Sequence, residues 1–277
     1  MDIKRRDFLK LGASSLAFSV AAESVWAQAN KIEVHWLGHA TTKVTTLTGK
    51  VIVIDPFITN NPKTPLSWRN LDALGNVDVI LVTHGHPDHV GDVADLARLT
   101  GATVLGPARL METIVNLGWV PPEKTARFGK SGKVKLAGQK ITITQTRAEH
   151  SSEVTVVDAA AKKSTVHSCG EPAGFIVEME NGFRLYHMGD TGLFDDMRRI
   201  GEYYDPDLVM IPIGGHSVMD PNDAAYVTNH MLKPRFAIPI HYGTFPVLNG
   251  TPQEYQDALG QTATEVFSIS PGDKLRF

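Results

Sequence analysis

Apolar and polar positions along the first part of the chain predict a series of short strands. The segments Ile32–Leu37 and Thr41–Thr46 alternate between the two classes, whereas Val51–Ile54 and Val77–Val82 are almost continuously apolar. Alternation is typical of a strand that is covered on one face, and a continuous run is typical of a strand that is covered on both faces. We therefore predict four strands here, of which the last two are buried.

Helical periodicity begins near residue 90, and strands and helices then alternate to the C-terminus. Val93, Leu96 and Leu99 lie on one apolar stripe of a predicted helix over residues 90–99. Further strands are predicted at 103–105, 133–137, 140–147, 174–179, 183–187, 208–213, 236–240 and 265–269. Further helices are predicted at 108–117, 195–201, 221–232 and 252–259. Residues 157–170 show the least pattern, and we interpret them as a surface loop. This order predicts one α/β domain in which sheet is layered with helices.

The N-terminal segment has the features of an export signal. Lys4–Lys10 is a basic patch with adjacent arginines, and it precedes a modestly apolar run, Leu11–Ala22. This run is too short to cross a membrane, which takes about 20 residues. The segment resembles a twin-arginine signal, with cleavage after Ala27 or Ala29. We therefore predict a signal peptide over residues 1–29, a mature domain over 30–277 and a periplasmic location; the alternative is an amphipathic helix of the folded domain.

Composition removes several classes of protein from consideration. The chain has 277 residues, of which 42% are hydrophobic and 21% charged, as expected of a globular protein with a core. Its 27 basic and 30 acidic side chains give a net charge of −3, so nucleic acid is not an expected partner. Because Cys169 is the single cysteine, neither an intramolecular disulfide nor a four-cysteine zinc ribbon can form.

Three of the histidines and one aspartate form a short cluster that has the residue types of a metal site. His84, His86, Asp88 and His89 stand within six residues, between a predicted buried strand and a predicted helix. Imidazole and carboxylate are ligands of Zn²⁺, Mn²⁺ and iron. Gly85 allows a tight turn, so His84 and His86 can point to one place. The string predicts a metal site.

This His-x-His-x-Asp-His string resembles that of the metallo-β-lactamase superfamily. The resemblance implies a four-layer αβ/βα sandwich with a binuclear metal site at the edges of the sheets. His150 matches the family's third histidine ligand, Asp190 its bridging carboxylate and His241 its last histidine ligand, each at the end of a predicted strand.

A narrower resemblance runs from about residue 31 to the C-terminus. Five segments resemble a group of bacterial metal-dependent hydrolases that lie near the ascorbate-phosphate lactonases and mostly have no assigned substrate: 37–40, 54–57, 172–175, 212–216 and 219–221. The chain departs from this group in its export signal and in a longer loop before Pro172.

The resemblance also implies which ligands share each ion. One of two divalent ions, zinc or manganese, would bind His84, His86 and His150, and the other would bind Asp88, His89 and His241. Asp190 and a water or hydroxide would bridge the two ions. Metal binding lowers the pKa of water from about 15.7 towards ~7, which makes hydroxide available at neutral pH. Asp88 would also orient this nucleophile.

Four further residues have open roles. Asp55 is either a support for a ligand histidine or a turn cap. His39 and His216 stand in glycine-rich turns, where each is either a substrate contact or a structural hydrogen-bonding group. We assign His216 to the catalytic residues, with His39 the weaker candidate. Cys169 is not expected to be a ligand.

These observations predict an exported metal-dependent hydrolase that acts on a small molecule. The bond cleaved would be an ester, lactone, amide or phosphodiester. A non-catalytic metal-binding protein of the envelope and a true β-lactamase are the alternatives. The sequence predicts no stable membrane span and leaves the oligomeric state open.

Overall fold

Two seven-stranded sheets form the centre of the computed structural model, which describes residues 31–136 and 140–277. The predicted export signal lies outside these residues. The first sheet contains, in spatial order, the strands β16 (Lys274–Arg276), β1 (Glu33–Gly38), β2 (Thr41–Thr45), β3 (Val51–Ile54), β4 (Val79–Leu81), β5 (Thr103–Pro107) and β6 (Thr125–Phe128). Strands β3 to β6 are parallel.

The second sheet has a similar division into antiparallel and parallel strands. It contains, in spatial order, β15 (Glu265–Val266), β14 (Phe236–Ile240), β13 (Leu208–Pro212), β12 (Arg184–His187), β11 (Ala173–Glu178), β8 (Thr142–Arg147) and β7 (Lys133–Lys135). Strands β12 to β15 are parallel. Each sheet therefore collects the carboxyl ends of several parallel strands at one edge.

Helices cover the outer faces of both sheets. They are α1 (Pro87–Val90), α2 (Val93–Thr100), α3 (Ala108–Asn116), α4 (Asp196–Tyr204), α5 (Pro221–Val227), which continues as a π-helical turn (Thr228–Leu232), and α6 (Pro252–Leu259), with 3₁₀ turns at Leu71–Leu74 and Pro122–Lys124. In the part of the chain that the structure describes, no helix has the length and apolar character needed to cross a membrane.

Among the described residues, three apolar cores join these layers. Trp36 of the first sheet and Phe175 of the second belong to the core between the sheets. A second core joins the first sheet to α1–α3, and a third joins the second sheet to α4–α6. The order helix, sheet, sheet, helix is the αβ/βα sandwich, so the predicted fold class is confirmed.

The prediction of a loop over residues 157–170 is wrong. Most of this segment belongs to a hairpin of β9 (Glu153–Asp158) and β10 (Lys163–Ser168), which form a separate two-stranded sheet. Only the base of the hairpin is buried, at Val154, so its outer positions are free to be polar. Within the predicted loop, β10 has Val166 as its single apolar residue, and this valine is exposed, so no alternating pattern marks the strand.

The other differences between predicted and observed helices and strands concern only a few residues or short strands. The helix predicted at 90–99 is observed as α2, which begins at Val93, and Val90 belongs to the preceding α1. Gly91 lies between the two helices, where a side chain would lie only 2.7 Å from the carbonyl oxygen of Pro87. The strand predicted at 265–269 ends at Val266, and β6 and β16 were not predicted.

Candidate metal centre

The predicted ligands come together where strands of the two sheets end. Asp55 follows β3 and His84 follows β4 in the first sheet, whereas Asp190 follows β12 and His241 follows β14 in the second. Asp88 and His89 lie in the first turn of α1. In open α/β sheets, the carboxyl ends of parallel strands are the usual place for ligands, and here the two sheets contribute to one such place.

The first group consists of His84, His86 and His150, whose ring nitrogens lie within 4.8 Å of one another. His84 Nε2 lies 2.9 Å from His86 Nδ1, which in turn lies 3.3 Å from His150 Nε2. The other ring nitrogen of His86, Nε2, lies 3.0 Å from the Glu153 carboxylate. Because that carboxylate only accepts hydrogen bonds, it holds the proton on Nε2 and leaves Nδ1 free towards the group.

The second group consists of Asp88, His89 and His241. Their ligand atoms, with one of His39, also lie within 4.8 Å of one another. The side chains of His89 and His241 are 0% and 3% exposed, whereas that of Asp88 is 25% exposed. The second group therefore has two buried imidazoles and one carboxylate open to the cleft.

Asp190 lies between the two groups. Its Oδ2 lies 2.9 Å from His241 Nε2, 3.7 Å from His150 Nε2 and 3.9 Å from His84 Nε2. Its Oδ1 lies 3.2 Å from His89 Nε2. The carboxylate is buried and faces histidines of both groups, which is the position that the resemblance implies for a bridging ligand.

Several buried polar atoms at this centre lack a hydrogen-bond partner among the described residues. They are His89 Nε2, Asp190 Oδ1 and both ring nitrogens of His241. His89 and His241 each approach Asp190 closely, but the geometry of neither pair is that of a hydrogen bond. Buried polar atoms are ordinarily paired. A cation between His89 Nε2, Asp190 Oδ1 and His241 Nε2 would satisfy these three atoms, so the residues present fit divalent metal ions.

The electrostatics of the centre also favour a cation. Burial opposes the protonation of His89, but the charges of Asp190 and Asp55 outweigh it and raise the pKa of His89 well above its usual value. Burial opposes the ionisation of Asp190, but His241 and His89 outweigh it and hold the pKa of Asp190 well below its usual value. Burial lowers the pKa of His84, as does the neighbouring His89. The centre thus favours ionised carboxylates with positive charge beside them.

Asp55 sets the orientation of one histidine in each group. Its Oδ2 lies 2.8 Å from His89 Nδ1 and accepts a hydrogen bond of 2.7 Å from the Thr83 hydroxyl. Since this hydroxyl donates to Asp55, it accepts from His84 Nδ1, 3.0 Å away. Both histidines then donate a hydrogen bond from Nδ1 and direct Nε2 towards Asp190. A support for ligand histidines is therefore the better of the two predicted roles for Asp55.

His39 contacts Asp88. Its Nε2 lies 3.1 Å from Asp88 Oδ2, and its Nδ1 lies 3.0 Å from the Thr244 hydroxyl. Burial lowers the pKa of His39 to about 4, so its ring is neutral near pH 7. Because both ring nitrogens are engaged and the side chain is 0% exposed, His39 fits a support for Asp88.

Several residues of the centre have left-handed backbone conformations. The φ angles are +56° at His39, +49° at Asp55, +61° at His216 and +55° at His241. Such angles are unfavourable for residues other than glycine, and they concentrate at functional sites. The backbone at this edge is therefore shaped to hold particular side chains.

The remaining predicted residues lie around the centre. His216 is exposed in a turn after β13, and Met219 of that turn donates to the carbonyl oxygen of Thr191, next to Asp190. No contact joins the His216 side chain to the two groups within the described residues. Cys169 is buried, donates to the carbonyl oxygen of His167 and belongs to none of the clusters that could hold a metal in the described part of the chain.

Sequence reasoning missed three supporting residues: Thr83, Glu153 and Thr244. Thr83 stands directly before the histidine string, so its position was a usable signal. Glu153 and Thr244 lie 67 and 205 residues from the histidines that they contact, so only the folded chain relates them.

With this geometry established, comparison with known proteins defines the class. The beta-lactamase superfamily domain matches residues 50–242. A solved structure of a metallo hydrolase, Igni18 from the archaeon Ignicoccus hospitalis, superposes with a TM-score of 0.74 at 31% identity, covering 89% of this chain and 98% of that one. The chain is a member of the metallo-β-lactamase superfamily.

Relatives of higher sequence identity show which family within this superfamily the chain resembles. A UPF0173 metal-dependent hydrolase from Cupriavidus taiwanensis is 55% identical over 251 residues, which are 90% of this chain and 88% of the relative. One from a Polaromonas species is 51% identical over 254 residues, 91% of this chain and 93% of the relative. The chain belongs to the UPF0173 family of metal-dependent hydrolases. The predicted resemblance to a group of such hydrolases is confirmed, and the relation to ascorbate-phosphate lactonases stays a prediction.

Proposed function

We propose that this metal-dependent hydrolase binds two divalent ions, zinc or manganese, and cleaves an ester, lactone, amide or phosphodiester bond of a small molecule. The first group would hold one ion, the second group the other, and Asp190 would contact both. The observation that carries this proposal is the position of the buried Asp190, 2.9–3.9 Å from histidines of both groups. When bound, two such ions supply water that ionises near neutral pH and polarise the bond that is attacked.

Asp88 has the exposure and charge needed to orient the attacking water. Burial opposes its ionisation, but the hydrogen bond from His39 and the charge of His89 outweigh burial and lower the pKa of Asp88. Asp88 is therefore an ionised carboxylate at neutral pH. It is a weak base in this state, so its role is to accept a hydrogen bond and hold the water in line.

His216 is the proposed contact to the substrate. Its turn is joined to Thr191, beside Asp190, and its exposed imidazole is available for a hydrogen bond to a leaving group. His216→Ala should lower turnover and leave the metal content unchanged. Loss of metal together with activity would instead make His216 a ligand or a structural support.

A substrate panel would identify the class of bond that the protein hydrolyses. Lactones, phosphodiesters, esters and β-lactams would be tested on protein loaded with zinc or manganese. We expect turnover of at least one class, loss of turnover with a chelator, and loss in Asp88→Ala even where metal is retained. Metal binding without turnover of any class would favour a metal-binding protein without catalysis. Turnover confined to β-lactams would favour a true β-lactamase.

Export by the twin-arginine route to the periplasm is the second part of the proposal. It rests on Arg5-Arg6, the weakly apolar run and the alanine-rich end of residues 1–29. The proposed ligands span residues 84–241, so the centre forms only when most of the chain has folded. A route that carries folded proteins would allow the metal to be inserted before export. Replacing Arg5-Arg6 with two lysines should keep the protein in the cytoplasm; unchanged periplasmic arrival of cleaved protein would contradict this route.

A further inference from the structure

The two loops beside the second group carry almost no charge. Residues 243–250 contain no charged side chain, and residues 56–65 contain only Lys63 after the strand-end Asp55. The loop over residues 243–250 nevertheless exposes apolar side chains: Phe245 is 36% exposed and Val247 is 51% exposed. Exposed apolar surface that adjoins a concave site is a mark of ligand binding.

This apolar surface is continuous with the candidate metal centre. The ring centroid of His39 lies 5.6 Å from that of Phe245 and 5.8 Å from that of Phe57, and the two phenylalanine rings are 6.5 Å apart. Because His39 also contacts Asp88, one imidazole separates Phe245 from the proposed second group. Thr244 binds the other side of His39, so the position of Phe245 in the loop is fixed.

A cavity of about 480 Å³ lies beside this surface and is large enough for a small substituent. Its lining includes Pro62, Phe245, Pro246 and Leu248, with Lys63 its single charged residue. Pro and Phe side chains offer apolar contact and few hydrogen bonds. The cavity therefore suits an uncharged group.

The opposite side of the centre is different. The cavity next to His150 is lined by Lys130, Arg147, Glu149 and Glu171. Lys130 pairs with Glu171, and Arg147 pairs with Glu149 at 2.7 Å, so these charges cancel. This cavity is therefore lined mainly by charged side chains that pair with one another.

We infer that the substrate carries an uncharged alkyl or aryl group, which packs against Phe245 on the Asp88 side of the centre. This inference rests on the proposed hydrolytic function and specifies its substrate class. Phe245 is then a residue that determines specificity. Full burial of one methylene group strengthens binding about fourfold. At a rim position that is partly open to water, about twofold per methylene is expected.

Binding of linear carboxylates tests the inference separately from hydrolysis. Calorimetry on the metal-loaded full chain would compare acetate, butyrate, hexanoate and octanoate, in which the head group is constant and the chain length varies. We expect Kd to fall by about twofold per methylene in the wild type. The dependence should be lost in Phe245→Ala and largely kept in Phe245→Leu. The matched control is Tyr203→Ala, which removes an aromatic side chain exposed on α4 and should leave the dependence unchanged.

Metal content and thermal midpoint, measured for every variant, exclude misfolding as the cause of a loss. Equal affinities across the carboxylates in the wild type, or a dependence that Phe245→Ala retains, would overturn the inference while the proposed hydrolysis stands. Loss of the dependence in Tyr203→Ala would overturn it as well. The proposed hydrolytic function is tested separately: it would be contradicted by the absence of turnover in the substrate panel.

Discussion

The two ligand groups differ in how deeply the fold supports them. In the first group, His86 and His150 are 26% and 12% exposed, and the partner of His86 is Glu153, on the partly exposed hairpin β9–β10. In the second group, His89 and His241 are buried, and His89 is held by the buried Asp55. Buried hydrogen-bond networks are more costly to disturb than exposed ones. His89 and His241 are therefore held more rigidly than His86 and His150, although Asp88 of the second group is as open to solvent as His86.

The largest effect is expected where the two groups meet. Asp190→Asn should remove charge from both groups, so metal content and turnover should fall by more than the roughly 100-fold that loss of a supporting residue causes. Elemental analysis and steady-state kinetics measure both. Asp257→Asn, on the exposed face of α6, is the matched control and should behave as the wild type. An Asp190→Asn protein that retained both ions would contradict the bridging position.

A substitution at Asp55 should weaken metal binding by both groups, but by less than Asp190→Asn does. Asp55→Asn replaces an acceptor of three hydrogen bonds and frees the orientations of His84 and His89. Loss of such a support lowers metal affinity about 10–100-fold. Competition with a chromophoric chelator would measure the affinity of each ion. If only one of the two affinities changed, Asp55 would not connect the groups as described.

Substitution of one supporting residue in each group should affect metal binding by the two groups to different extents. Glu153→Gln removes the carboxylate beside His86. The Glu153 side chain is 37% exposed, so water can replace its contact with His86. His39→Gln removes the buried partner of Asp88. We expect Glu153→Gln to weaken the ion of the first group by about tenfold or less, and His39→Gln to affect the second group more strongly. Cobalt titration followed by absorbance separates the two events. Equal losses, or a larger loss in Glu153→Gln, would contradict the difference in rigidity.

The smallest effect is expected at a buried histidine outside both groups. His35 is 1% exposed, both of its ring nitrogens lack partners among the described residues, and burial, with Lys274 and Lys43, lowers its pKa to about 4. The folded state therefore keeps His35 neutral down to about pH 4, whereas the unfolded chain protonates it below about 6.5. The stability that depends on this group is present above about pH 6.5 and is lost as the pH falls towards 4.

Urea unfolding of metal-free protein between pH 7.5 and 4.5 would test this sign. His35→Leu should be at least as stable as the wild type at pH 7.5, because it removes an unpaired buried polar group. It should also lose less stability on acidification. An acid sensitivity equal to that of the wild type would show that His35 does not contribute to it.

Most of the layered fold and the order of the ligands could be predicted from the sequence, for one physical reason. Strands β4 and β14 are buried on both faces and stand out as apolar runs, and His84 and His241 follow them within three residues. Asp190 follows β12, whose sequence Arg184–His187 is less apolar. The hairpin β9–β10 was not predicted because β10 has Val166 as its single apolar residue, although β9 alternates at Val154 and Val156. His39 and Asp88 lie 49 positions apart and outside a common helix or strand, so no local sequence pattern predicts their contact.

The most direct test is the position of bound metal in the protein itself. Crystals of the chain grown with zinc or manganese would be measured at the absorption edge of the metal. We predict two anomalous peaks per chain, one among His84, His86 and His150 and one among Asp88, His89 and His241, with Asp190 in contact with both. A single peak, or a peak that Asp190 does not contact, would contradict the proposed two-metal centre.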